Sequence, residues 1–118
     1  MARVLVVESD IAIAARVADE LRRRGHVLDV VANGAEALAS LSAYWPDIIV
    51  LDLVLPVTEG WDFMERYRRL IQGHIIPLVV TSVTEDLPES VAAFGVRRLL
   101  RQPLNPQDAA NAIEESCC

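Results

Sequence analysis

The most concentrated chemistry in this chain lies in three short polar stretches, Glu8-Ser9-Asp10, Asp52, and Thr81-Ser82, each closing an apolar run. The donors are all oxygen: carboxylates and hydroxyls, with no histidine or cysteine among them. Clustered carboxylates repel one another unless a cation or a proton relieves them. Oxygen donors of this kind suit Mg²⁺, which takes one or two carboxylates and keeps several waters. A carboxylate nucleophile, a divalent ion and a hydroxyl are together the parts needed to move a phosphoryl group onto an aspartate. That chemistry requires all three stretches to meet in one place, which depends on the elements that carry them.

Those elements read as buried strands. Ile48-Ile49-Val50-Leu51 is an unbroken apolar run with three β-branched residues, the pattern of a strand covered on both faces and central in a parallel sheet. Arg3 to Val7 and Ile75 to Val80 have the same character, the latter interrupted by Pro77 near its start. In an open parallel sheet, ligands sit at the carboxyl ends of the strands. If the first, third and fourth strands are neighbours, Glu8, Asp52 and Thr81 converge there. Two further strands, Val27 to Val31 with Asp29 inside it and Val96 to Arg101 with three arginines, suit the sheet's edges.

Helical spacing fills the intervals. Ile11, Ala14, Ala15, Ala18 and Leu21 mark a first helix, with Ser9 as its cap and Asp10 in its first turn. Arg22-Arg23-Arg24-Gly25 ends it, cations at the negative end and glycine as stop. Asn33 and Glu36 form a capping box for a second helix carrying Leu38 and Leu41. Tyr44-Trp45-Pro46 leads into the central strand, with Trp45 as a packing residue. Phe63, Met64, Tyr67 and Leu70 mark a third helix. A fourth, capped by Thr84, is weakened by Pro88 and ended by Gly95. Asn105-Pro106 starts a fifth, whose buried stripe is Ala109, Ala110, Ala112 and Ile113. His26 and His74 fall at the surface or at strand edges. Alternating strands and helices joined by short loops imply right-handed crossovers and a sheet covered on both faces.

At 118 residues with 53% hydrophobic content, the chain is expected to form a single domain over residues 1–118. A net charge of −6 disfavours direct nucleic-acid binding by this segment. No apolar run approaches membrane-spanning length, and the start lacks a signal-peptide pattern. The only cysteines, Cys117 and Cys118, are adjacent, so no disulfide framework follows, which fits a reducing, cytoplasmic setting. All eleven basic residues are arginine. There is no lysine.

Taken together, the acid after the first strand (Val6-Val7-Glu8), Asp52-Leu53-Val54-Leu55-Pro56 with Gly60, the pair Thr81-Ser82, and Pro103 after the last strand resemble a receiver domain of bacterial two-component response regulators. The resemblance covers essentially the whole chain. It implies a flavodoxin-like (βα)5 three-layer α/β sandwich with a five-stranded parallel sheet in the order 2-1-3-4-5. It implies that Asp52 accepts a phosphoryl group from a histidine kinase with Mg²⁺. Glu8, Asp52 and the Val54 carbonyl would hold the metal, and Thr81 and Ser82 would contact the phosphoryl group. It further implies a cis peptide before Pro103, no enzyme activity of its own, and signalling or homodimerisation through the face of the fourth helix, fifth strand and fifth helix. The partners implied are a histidine kinase or another signalling protein, with no membrane.

The departures are as specific. The family's second acid is Ser9, leaving Asp10, one position on, as a possible accessory acid. The family's lysine is Gln102, which donates hydrogen bonds without charge. The aromatic switch position is Leu99. Mg²⁺ binding is therefore expected to be weak, because charge count governs affinity for hard cations. The expected function is a phosphoacceptor with weakened chemistry; the alternative is a degenerate receiver acting as a phosphorylation-independent interaction module. An aspartyl-phosphate hydrolase is disfavoured, because the second carboxylate such enzymes want two residues after the nucleophile is Val54. Dinucleotide binding is disfavoured by the lack of a glycine-rich turn after the first strand.

Overall fold

The structure, a computed structural model, describes residues 1–52, 65–72, 74–82 and 96–117. Strand β1 (Arg3–Val7) leads to helix α1 (Ile11–Arg23), β2 (Val27–Val31), α2 (Gly34–Ala43) and β3 (Ile48–Asp52). Helix α3 covers residues 65–71. Then come β4 (Leu78–Ser82), β5 (Val96–Arg101) and the C-terminal helix (Pro106–Cys117). All pairings are parallel, and the strand order is β2-β1-β3-β4-β5. This is the flavodoxin-like α/β arrangement. The weak fourth helix expected between Thr84 and Gly95, like the Val54 carbonyl, lies outside the described residues.

Burial follows position in the sheet. Every residue of β3 and β4 is buried, whereas β2 and β5 are partly exposed edges. Because side chains alternate along a strand, each central strand feeds two cores. Leu5, Val7, Ile49, Leu51 and Leu78 face α2 and α3, where they meet Ala37, Leu41 and Tyr67. Val4, Val6, Ile48, Val50 and Val79 face α1 and the C-terminal helix, where they meet Val17, Leu21, Ala110 and Ile113. Each fully buried aliphatic side chain contributes about 1.5–3 kcal/mol. The two aliphatic layers therefore hold the sheet without needing many aromatics. Cys117 packs against the second layer.

Two local expectations need correction and a third is narrowed. Asp10, not Ser9, caps α1: its Oδ1 accepts the Ala12 and Ile13 N–H groups at 3.0 and 3.2 Å. The capping bonds fall one residue later because Ile11 is the first helical residue. Strand β4 begins at Leu78 rather than Ile75, after the proline that lacks an N–H; Pro77 still offers its carbonyl to Ile49 N. His26 stands just before the edge strand β2 but not at the surface, since its side chain is only 6% exposed and is bonded at both ring nitrogens.

The other caps form where the sequence places them. Asn33 Oδ1 accepts Glu36 N, and Glu36 reaches back to Ala32 N. Asn105 Oδ1 accepts from Gln107 N and Asp108 N. Gly25 takes a φ of 91° just past α1, in the left-handed region open to glycine. Trp45 is half-exposed and tilts against His74 with ring centroids 4.8 Å apart.

One irregularity breaks the sheet. Leu78 pairs with Val96 but Val79 pairs with Arg98, so β5 carries one residue, Arg97, more than β4 at that point. Above the bulge the ladder runs regularly to Ser82 and Arg101.

Candidate functional site

Strand β3 ends in Asp52, and the register sets Thr81 directly beside it on β4. On the other side, β1 pairs Val7 with Leu51, so the next residue, Glu8, emerges beside Asp52. Glu8 N donates to Val31 O at 3.0 Å, which fixes the backbone as it leaves the sheet. Asp52 is 3% exposed and Glu8 6%. Thr81 and Ser82 are buried as well. The sheet thus brings together Glu8, Asp52, Thr81 and Ser82 at its carboxyl edge.

Two carboxylates buried side by side need relief. Burial, first, and then a hydrogen bond and the charge of Asp52 push the Glu8 carboxyl up from 4.5 to about 8; Asp10 adds to the rise, and the Ser9 backbone opposes it. A proton on Glu8 therefore takes the place a cation would take. Glu8 Oε2 is buried with no hydrogen-bond partner among the described residues. An orphaned, buried carboxylate oxygen beside a second carboxylate is a donor set that fits a hard divalent ion. It is a sparse one: among the described residues no group of three or more ionisable ligands gathers at one point.

Gln102 arrives from the end of β5. Its N–H donates to Ser82 O at 2.8 Å, and the following Gln102–Pro103 peptide is cis. The side-chain Nε2 lies 3.5 Å from both Asp52 Oδ1 and Thr81 Oγ1, at the long limit of a hydrogen bond. The group that reaches the two site oxygens from β5 is thus a neutral amide. Below the site, a small apolar hollow is lined by Val6, Ile13, Val17, Val50 and Leu104, with Glu8 and Thr81 at its rim.

The remaining candidates fall elsewhere. Ser9 is exposed, and Asp10 is spent at least in part as the cap of α1. Leu99 is half-buried opposite Val80. On β5 and the C-terminal helix, Arg98 pairs with Glu115 at 2.9 Å, while Arg97 and Arg101 are exposed. A cluster the sequence did not disclose joins Glu20, Arg24, His26 and Glu114 at the opposite end of the sheet. Its members come from three separate elements, so no local spacing could have revealed it.

Comparison with known proteins agrees with this architecture. The chain is similar over 98% of its length to the Vibrio cholerae chemotaxis protein CheY4, with 30% identity, a TM-score of 0.83 and 98% of that chain covered. It is 34% identical over 103 residues to the alkaline phosphatase synthesis transcriptional regulatory protein SphR of Synechococcus elongatus, covering 80% of this chain and 39% of SphR. It is 31% identical over 105 residues to the transcriptional regulatory protein TcrA of Mycobacterium tuberculosis, covering 87% of this chain and 41% of TcrA. The chain thus spans about two-fifths of the length of these two curated relatives. A family model described as the response regulator receiver domain matches residues 4–114. With the strand order, the buried acid pair and the matched span all in agreement, this chain belongs to the receiver domains of response regulators.

Proposed function

We propose that Asp52 is a phosphoacceptor whose chemistry is slow and poorly coupled to any switch. The observation that carries this is Gln102, a neutral amide 3.5 Å from both Asp52 and Thr81, in a chain with no lysine. In the step itself, an Asp52 oxygen bonds to phosphorus as the phosphorus–nitrogen bond to a kinase histidine breaks, and the departing imidazole keeps the electron pair and takes up a proton. Charge builds on the phosphoryl oxygens as this happens. Removing a preorganised charged donor from such a site commonly costs on the order of 10²-fold or more in rate. Mg²⁺, when bound, would supply positive charge against those oxygens, and Glu8 and Asp52 are the residues to hold it, with the Val54 carbonyl as a third donor.

The chain's own residues do the rest. Thr81 Oγ1, beside Asp52 in the ladder, donates a hydrogen bond to a phosphoryl oxygen, with Ser82 next to it. Glu8 must lose its proton before it can serve a cation. Ser9 contributes no charge, so metal affinity is low. Leu99 has no ring to reorient, so a modified Asp52 leaves the β5 face nearly unmoved. The histidine kinase as phosphodonor and the face formed by the fourth helix, β5 and the C-terminal helix as contact surface for a signalling partner or second copy are part of the same proposal. The three arginines on β5 equally suit simple protection of an edge strand against aggregation.

The test is a small-molecule phosphodonor with Mg²⁺, read by intact mass and by amide shifts. Little modification is expected in the wild type, and a clear gain in Ser9→Asp combined with Gln102→Lys. Rapid Asp52-dependent modification of the wild type, with large shifts from Arg97 to Arg101, would refute the reading. A second reading, a receiver that signals through binding alone, is favoured by the same neutral Gln102; it is supported if the double substitution also stays unmodified.

A further inference from the structure

We propose that His26 is a proton-operated clasp between the start of β1 and the last turn of the C-terminal helix. His26 lies in the connection from α1 to β2, at the amino ends of the strands and away from Asp52. Its Nδ1 accepts the Ala2 N–H at 3.0 Å. A backbone N–H only donates, so Nδ1 carries no proton and the neutral ring holds its hydrogen on Nε2. Nε2 then donates to Glu114 Oε2 at 3.1 Å. One ring thereby ties three segments, and at 6% exposure its side chain leaves little room for water to replace either bond.

The surrounding charges fix what protonation does. From the C-terminal helix, Glu114 faces Nε2, and its other oxygen is held by Arg24 at 2.5 Å. From the connection itself comes Arg24, which also reaches Asn111 at 2.8 Å. From α1 comes Glu20, which holds Arg24 at 2.8 Å. From the start of β1 comes the Ala2 amide. On β2 the first ionisable group is Asp29, which is engaged by Arg3 and Tyr44 instead. A second ring proton has only Nδ1 to occupy, where it points at the Ala2 N–H. Two donors cannot share that bond, so it opens. At Nε2 the bond to Glu114 becomes charge-assisted and strengthens. A single proton therefore exchanges a hold on β1 for a tighter hold on the C-terminal helix.

The experiment uses the chain with Met1 in place, labelled with ¹⁵N, between pH 8 and pH 5. Long-range ¹H–¹⁵N spectra report the ring, and hydrogen exchange relative to the intrinsic rate reports the Ala2 amide. At pH 8 the Nε2–H tautomer is expected. As the ring protonates, Ala2 protection should fall by about fivefold, the worth of one hydrogen bond, while Val27 N, bonded to Ala2 O, serves as the internal control. In His26→Asn, whose side-chain oxygen falls near the Nδ1 position, Ala2 protection should lose its pH dependence. In Glu114→Gln the charged ring loses its partner, so release of Ala2 should move to lower pH. The proposal is overturned by an Nδ1–H tautomer at pH 8, by a ring that protonates with Ala2 protection unchanged, by a ring that stays neutral down to acid unfolding, or by a His26→Asn chain that keeps the wild-type pH dependence.

Discussion

Glu8→Gln is expected to make the protein more stable at alkaline pH and to flatten its stability profile. The folded state holds the Glu8 proton up to about pH 8, against 4.5 for an ordinary glutamate. An acid whose folded pKa is raised stabilises the fold while it is protonated. That contribution is fully present below pH 4.5 and is lost as pH rises through about 8. At about 1.4 kcal/mol per pH unit, the displacement bounds the loss at about 5 kcal/mol. The lower end comes from Glu8 Oε2, which has no partner among the described residues; stranding a buried charged oxygen costs at least about 2 kcal/mol. Glutamine copies the protonated acid, since its amide donates toward Asp52 without ever ionising. Urea unfolding of both chains from pH 5 to 9, followed by tryptophan fluorescence, gives the difference directly, and other titrating groups cancel. The curves should nearly coincide at pH 5 and part by about 2–5 kcal/mol at pH 9. Millimolar Mg²⁺ at pH 9 should restore part of the wild-type loss and leave the variant unmoved. Profiles that stay parallel across this range would show that Glu8 is solvated and that the buried-pair reasoning fails.

Asp10→Ala should cost about 1 kcal/mol through the lost cap, while Asp10→Asn should be close to neutral. If Asp10 only caps α1, the Asn variant also keeps the wild-type Mg²⁺ response in amide shifts; a weakened response would make Asp10 an accessory acid. Ile49→Ala, on the fully buried β3, should lose about 2–5 kcal/mol in urea unfolding and Ile49→Val about 1 kcal/mol. A smaller loss for the alanine than for the valine would show that β3 is not the packed centre of the sheet.

Which strands are central and which are edges was legible because burial writes itself into composition, while the order 2-1-3-4-5 came with the family resemblance. Ile48 to Leu51 is apolar throughout because both its faces are covered, while Asp29 and the arginines at 97, 98 and 101 are tolerable only at edges. Asn33 and Asn105 were legible because a cap acts over three residues. The same locality explains the error at α1, where Ser9 and Asp10 are both good caps and only the backbone distinguishes them. The site residues followed from their places at strand ends together with the family resemblance. The link from His26 to Glu114 spans 88 positions, and nothing near either residue announces the other. The small misplacement of β4 has a similar cause, since Ile75 and Ile76 are as apolar as a strand yet lie before its ladder begins.

The extra residue at Arg97 separates the length of β5 from the position of its far end. Everything that delivers Gln102 to Asp52, the regular pairing from Val79 with Arg98 to Ser82 with Arg101 and the bond from Gln102 N to Ser82 O, lies on the site side of that irregularity. The other side carries only the single pairing of Leu78 with Val96. Arg97 is therefore slack in the thread: a chain lacking it can close the gap by pairing Val96 and Arg98 in unbroken succession, and every side chain beyond keeps its face. Length variation at this point of the edge strand is thereby made harmless to the chemistry, whereas a residue gained or lost between Arg98 and Gln102 turns the amide away from the aspartate and toward the opposite layer.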